Sequence, residues 1–204
     1  MLIPIPVRKL PNLCGLSSQS CVSTSLLAAW ASRVGTSLSW DEIFANLRQL
    51  SNWNRYNFDG EYTIGNLIVA AEIADEVLDI FQEIFDGRFP IHSIRLIDYF
   101  NASDYLSMAA NNSHSFNFRY IAGTNRISRH GFGMAIDINP IQNPYIRGGT
   151  IWPAAGAEYL NRSYVRPGMI IEGDVVYTAF TSRGWIWGGH WTTPRDYHQF
   201  ERRP

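Results

Sequence analysis

Two stretches of the chain gather residue types that could hold a metal and move a proton. The first is SRHGFGMAIDI, residues 128 to 138, in which His130 sits beside a turn that Gly131 and Gly133 make possible. Asp137 falls within the apolar run that follows, between Ile136 and Ile138. A buried carboxylate without a partner is costly, so Asp137 must be paired, hydrogen-bonded or metal-bound. Imidazole with carboxylate is a donor set that suits zinc. A structural His–Asp hydrogen bond meets the same requirement, and the spacing alone leaves both readings open. The second stretch, GWIWGGHWTTPRDYHQFE at residues 184 to 201, places Asp196 and His198 two positions apart. An extended strand projects such a pair to one face. A third ligand with a nearby carboxylate would complete a catalytic zinc site that keeps one position open for water, the carboxylate acting as base. Taken singly, Asp196 also reads as a turn residue after Pro194, and His198 as a half-buried strand histidine.

The elements that must position these groups divide the chain in two. Val22, Leu26, Leu27 and Trp30 fall close to helical spacing, so Cys21 to Arg33 reads as a helix stopped by Gly35. Ser39-Trp40-Asp41-Glu42 has the form of a capping box, with Ile43, Leu47 and Leu50 continuing an apolar stripe behind it. After a polar, aromatic connector, residues 64 to 85 give the longest helical pattern, ending at Asp86-Gly87. From there the signal changes to short extended runs at 91–97, 116–121, 133–138, 185–188 and 197–200, with one helix predicted at 174–183. The stretches 101–115 and 139–153 read as loops. Helices segregated before an antiparallel sheet indicate an α+β domain.

Composition narrows the function. The chain has 204 residues, 46% hydrophobic and 17% charged, enough for one globular domain with a sizeable core. A formal charge of −1 gives no field favouring nucleic acid or an anionic membrane, and Lys9 is the only lysine among scattered arginines. No apolar run approaches the roughly 20 residues that span a bilayer. Cys14 and Cys21 are the only cysteines, which excludes a multi-disulfide framework. The apolar start is broken by Pro4 and Pro6, and Arg8 and Lys9 follow it instead of preceding it, so it does not read as a signal peptide. The expectation is a protein made in the cytoplasm that reaches its site of action by phage lysis or secretion.

SRHGFGMAIDINP, GWIWGGHW and the following DYxxFE together resemble the M15 family of metallopeptidases, which includes D-alanyl-D-alanine carboxypeptidases and phage L-alanyl-D-glutamate endolysins. The resemblance extends from about Phe58 to Glu201 and takes in FDG at 58–60, FPI at 89–91, DYLSMAANN at 104–112, FNFR at 116–119 and INPIQNPY at 138–145. It implies an antiparallel sheet with helices of the hedgehog/DD-peptidase type and one zinc ion per chain, held by His130, Asp137 and a C-terminal histidine. It further implies Asp196 as general base and acid, Arg119 as the group that stabilises the developing oxyanion, and Ser107 as a substrate-orienting residue. The implied function is zinc-dependent hydrolysis of peptidoglycan stem peptides by a monomer, as carboxypeptidase or endopeptidase. On this reading residues 51–204 form the peptidase domain, and residues 1–50 a helical extension of unknown role.

The chain departs from that pattern in two places. Relatives read Asp-x-x-His-Phe near the C terminus, whereas here Asp196-Tyr197-His198-Gln199-Phe200 brings the histidine one place early. In a regular strand a one-residue shift reverses the face, so either Gln199 points at the metal or a local bulge lets His198 reach it. The expected ligand is His198. His114 and Ser115 occupy a loop where relatives carry Ser and Ala, which points to an altered substrate rim. His190 and His92 read as non-ligands. Two other classes compete: an inactive peptidase fold that binds cell-wall peptides without cleaving them, and a cysteine peptidase using Cys21 at a helix N-terminus.

Overall fold

The computed structural model describes residues 46–203. The capping box at 39–42, the helix expected at 21–33 and both cysteines lie outside the described residues.

Where helix is expected to continue through Leu47 and Leu50, the chain instead forms strand β1 (Leu47–Tyr56), paired antiparallel with β2 (Tyr62–Ala70). The turn between them is built on Asn57, whose Oδ1 accepts from the backbone N–H groups of Asp59 and Glu61 at 2.9 and 2.8 Å. Ile64, Leu67 and Ile68 mimic helical spacing, but this stretch is rich in β-branched residues and finds a partner strand at hand. The helical pattern is real only from α1 (Ala74–Asp86), where Ala74, Val77, Ile80, Phe81 and Ile84 make one buried stripe. After it, the left-handed turn falls on Arg88 (φ 54°), while Gly87 keeps helical angles.

The short elements beyond α1 form three small sheets. β3 (Ser93–Ile94) pairs with β4 (Asn112–Ser113) in parallel. β5 (Ala135–Asp137), β10 (Gln199–Glu201) and β8 (Ile186–Trp187) form an antiparallel sheet in the order β5-β10-β8. β6 (Tyr145–Arg147), β7 (Thr150–Trp152) and β9 (Arg195–Asp196) form another, in the order β7-β6-β9. The mixture of a few helices with small, mainly antiparallel sheets agrees with the α+β expectation.

Two regions expected to be loops contain structure: α2 (Asp104–Ala109) with β4, and the β6–β7 hairpin. The strand expected at 116–121 is reduced to a single bridge between Tyr120 and Ile127. The helix expected at 174–183 is α3 (Val175–Thr181), capped by Asp174, whose Oδ1 accepts from the Tyr177 N–H at 2.7 Å.

The core lies between the β5-β10-β8 sheet and the two packed helices α1 and α3. Phe180 of α3 stacks on Phe200 of β10 with ring centroids 4.2 Å apart. Ile136 and Ile138, which flank Asp137, are fully buried on this side. β2 is joined to the turn carrying His130 by a bond from the Ala70 N–H to the Gly133 carbonyl (3.0 Å). Gly133 adopts φ +65°, and a Cβ there would sit 2.6 Å from the Ala70 nitrogen. Gly133→Ala therefore combines a left-handed penalty with a clash against backbone that cannot yield. The expected loss is at least about 2 kcal/mol, read as a fall in Tm of roughly 4–8 °C by thermal unfolding.

Candidate active site

Asp137 is the hub of a buried cluster. His130 enters from a 3₁₀ turn (Arg129–Phe132) whose N-cap, Ser128, accepts from the His130 N–H at 3.3 Å. The His130 Nδ1 lies 2.7 Å from the Ser115 carbonyl, which turns Nε2 towards Asp137, 3.2 Å from its Oδ1. His198 is arranged in the same way: Nδ1 lies 2.8 Å from the Asn143 carbonyl, and Nε2 faces both Asp196 Oδ1 (3.0 Å) and Asp137 Oδ2 (3.8 Å). A ring nitrogen anchored on a backbone carbonyl fixes the tautomer and aims the other nitrogen, as in histidines that bind metals.

His198 reaches this cluster without a strand bulge, and the reason is topological. Asp196 ends β9, which pairs with β6, whereas Gln199 opens β10, which pairs with β5. The chain changes sheets between them, so the alternation of a single strand does not govern residues 197 and 198. Gln199 sits opposite Asp137 in the ladder, but its amide donates to Glu201 Oε2 at 3.2 Å. Gly188 makes room for Asp196: a Cβ at this glycine would lie 2.5 Å from the Asp196 carbonyl oxygen.

A third imidazole, His114, faces the same carboxylate. Its Nε2 lies 3.9 Å from Asp137 Oδ2, and its ring stacks on that of His130 with centroids 5.2 Å apart. His114, expected at a substrate rim, is buried with 1% exposure. The available signal was the composition around it. Residues 111–115, NNSHS, read as a loop because they are polar, yet every one is buried. A buried polar run must be satisfied internally, and Asn112, for example, accepts from the Arg95 N–H at 2.9 Å and donates to the Arg95 carbonyl at 3.0 Å.

The other expected site residues divide. Arg119 pairs with Asp104 Oδ2 at 3.2 Å, and Asp104 Oδ1 lies 3.6 Å from His114 Nε2, which brings the guanidinium to the edge of the cluster. Asp104, at the start of α2, opens the DYLSMAANN segment but carries no expected role in the sequence. Ser107 is fully buried in α2, and its Oγ accepts from Asn112 Nδ2 at 3.1 Å. His190 pairs at the surface with Glu172 (2.8 Å). A separate hollow between β1 and α1, lined by Arg48, Asn54, Leu78 and Gln82 among others, includes none of these groups.

The electrostatics are those of a cation-ready pocket. Burial drives the Asp137 pKa upward, but the surrounding imidazoles outweigh it and hold the carboxyl far below the ordinary range, so Asp137 is ionised. Burial pushes His114 down to about 4, which keeps it neutral with a free lone pair at neutral pH. Burial also raises Asp196 to about 6, opposed by His198 and reinforced by Asp137. His130 Nε2, Asp137 Oδ1 and both His114 nitrogens are buried without a hydrogen-bond partner among the described residues. His130 Nε2 and Asp137 Oδ1 are close, yet misaligned for a hydrogen bond. Buried polar atoms left in this state are costly unless something else satisfies them. The ligand atoms of His114, His130 and Asp137 all lie within 4.8 Å of one another, an arrangement fitted to bind a metal.

Residues 122–202 match a family model described as D-alanyl-D-alanine carboxypeptidase, of the M15 peptidases. The match supports an M15 family peptidase. Neither a curated protein nor a solved structure matches the chain. The M15 segment contains His130, Asp137, Asp196 and His198, while His114 and Asp104 precede it. No helix among the described residues is long and apolar enough to cross a membrane.

Proposed function

We propose that this protein is a zinc peptidase acting on stem peptides of bacterial cell wall, at bonds that involve D-amino acids. The observation that carries the reading is the set of unpartnered buried donor atoms converging on ionised Asp137. Two imidazoles and a carboxylate match the composition of catalytic zinc sites. His130 and Asp137 hold the ion, with a third imidazole drawn from His114 or His198. When bound, zinc polarises a carbonyl and lowers the pKa of water to about 7. Asp196 takes the proton from the attacking water and delivers it to the leaving amine. Its carboxyl, pushed up to about 6, is matched to that exchange near neutral pH. Arg119, held by Asp104, presents a fixed charged fork to the developing oxyanion or to a substrate carboxylate. Ser107 contributes at one remove, by fixing Asn112.

The test is digestion of purified peptidoglycan with analysis of the released termini by mass spectrometry. Released D-Ala marks a carboxypeptidase, and new N-terminal D-Glu marks an endopeptidase. Loss of either product on chelation, with recovery on adding zinc, is expected. Intact peptidoglycan from a chain carrying one zinc would instead support a protein that binds wall peptides without cutting them.

A further inference from the structure

His114 and His198 both approach Asp137, but they differ in what else engages their rings. The His198 Nδ1 is held by the Asn143 carbonyl at 2.8 Å, and its Nε2 points at the Asp196 carboxylate, 3.0 Å from Oδ1. Both nitrogens of His114 are buried without a hydrogen-bond partner. A fully buried imidazole whose nitrogens make no hydrogen bond carries a desolvation cost, and its Nε2 has only the Asp104 and Asp137 carboxylates nearby, at 3.6 and 3.9 Å. The backbone also fixes its place: the His114 N–H donates to the Asp137 carbonyl (3.2 Å), and the Asp137 N–H donates to the His114 carbonyl (2.9 Å). Residues bonded reciprocally in this way are direct cross-strand neighbours, with side chains on one face. The ligand group of three donors contains His114 with His130 and Asp137, and His198 falls outside it.

Resting on the zinc-peptidase reading above, the geometry points to His114 as the third protein ligand of the metal, in place of His198. His198 then acts as a positioning residue beside Asp196, its Nε2 3.0 Å from the Asp196 Oδ1. Two departures noted in the sequence become one: the C-terminal histidine is displaced, and a new histidine appears across the ladder from Asp137.

The experiment measures zinc content and affinity of the full chain and of His114→Ala, His114→Asn and His198→Ala, each checked for folding by thermal unfolding in chelator. Wild type is expected to carry one zinc. The His114 variants should lose affinity by more than the roughly 10–100-fold that removing an outer partner costs. His198→Ala should stay within that range while its kcat falls and its KM changes little. Greater zinc loss from His198→Ala, or equal loss from both sites, overturns the proposal and leaves the peptidase reading standing. Absence of zinc from the wild type overturns both. As a check independent of variant folding, long-range ¹H–¹⁵N spectra of histidine-labelled wild type should show His114 and His130 ring nitrogens shifting when Zn²⁺ alone is added. A metal-type shift at His198 instead of His114 counts against the assignment.

Discussion

Asp137→Asn is expected to abolish stoichiometric zinc binding and peptidoglycan cleavage together. The substitution preserves shape and removes the buried carboxylate charge that all three imidazoles face. Neutral imidazoles can still donate lone pairs, but a dication in a buried site would then lack any anionic ligand, and its desolvation would go unmatched. Elemental analysis of the purified variant checks this, alongside the wild type. Full zinc content in Asp137→Asn would remove Asp137 from the metal site. The effect is expected to be chemical and not a collapse of the fold, because the Asp137 backbone keeps its bonds to His114 and its place in β5.

Asp196→Asn should separate chemistry from metal binding. The amide fills the same space between Gly188 and His198 but cannot accept a proton from water. Loss of a positioned general base typically costs about 10²–10⁴ in rate. The expected result is a fall of that size in kcat, with zinc content unchanged and only a small change in KM. A variant that retained wild-type kcat would show that another group performs the proton transfer.

Much of this site was legible in the sequence, because its most informative residues contradict their surroundings. Asp137 is a charge inside an apolar strand, and Gly133 is a turn residue where only a positive φ satisfies the chain. Such local conflicts are visible without a fold. What escaped was set by pairing across long sequence distances. Residues 64–70 carry an apolar spacing compatible with either helix or strand, and β1 decided the outcome. His114 looked like a loop residue because its neighbours are polar. It is buried because β5 bonds to it 23 positions away in sequence. Asp104 draws its importance wholly from Arg119 and His114, neither of which lies near it on the same element.

The crossing from β9 to β10 has an evolutionary corollary. Tyr197 and His198 lie where the chain passes from one sheet to the next, the Tyr197 N–H donating to the Pro144 carbonyl (3.3 Å) and the His198 carbonyl accepting from the Ile138 N–H (3.0 Å), while Phe200 stays stacked on Phe180 in the core. At this crossing the histidine stands one place from the usual interval and still faces Asp137, whereas a one-residue slip inside β5 would exchange Asp137 for Ile136 or Ile138. Pattern searches that demand a fixed Asp-to-His interval at the C-terminal end will therefore pass over chains built in this way. Searches anchored on the rigid His130–Asp137 interval should recover them.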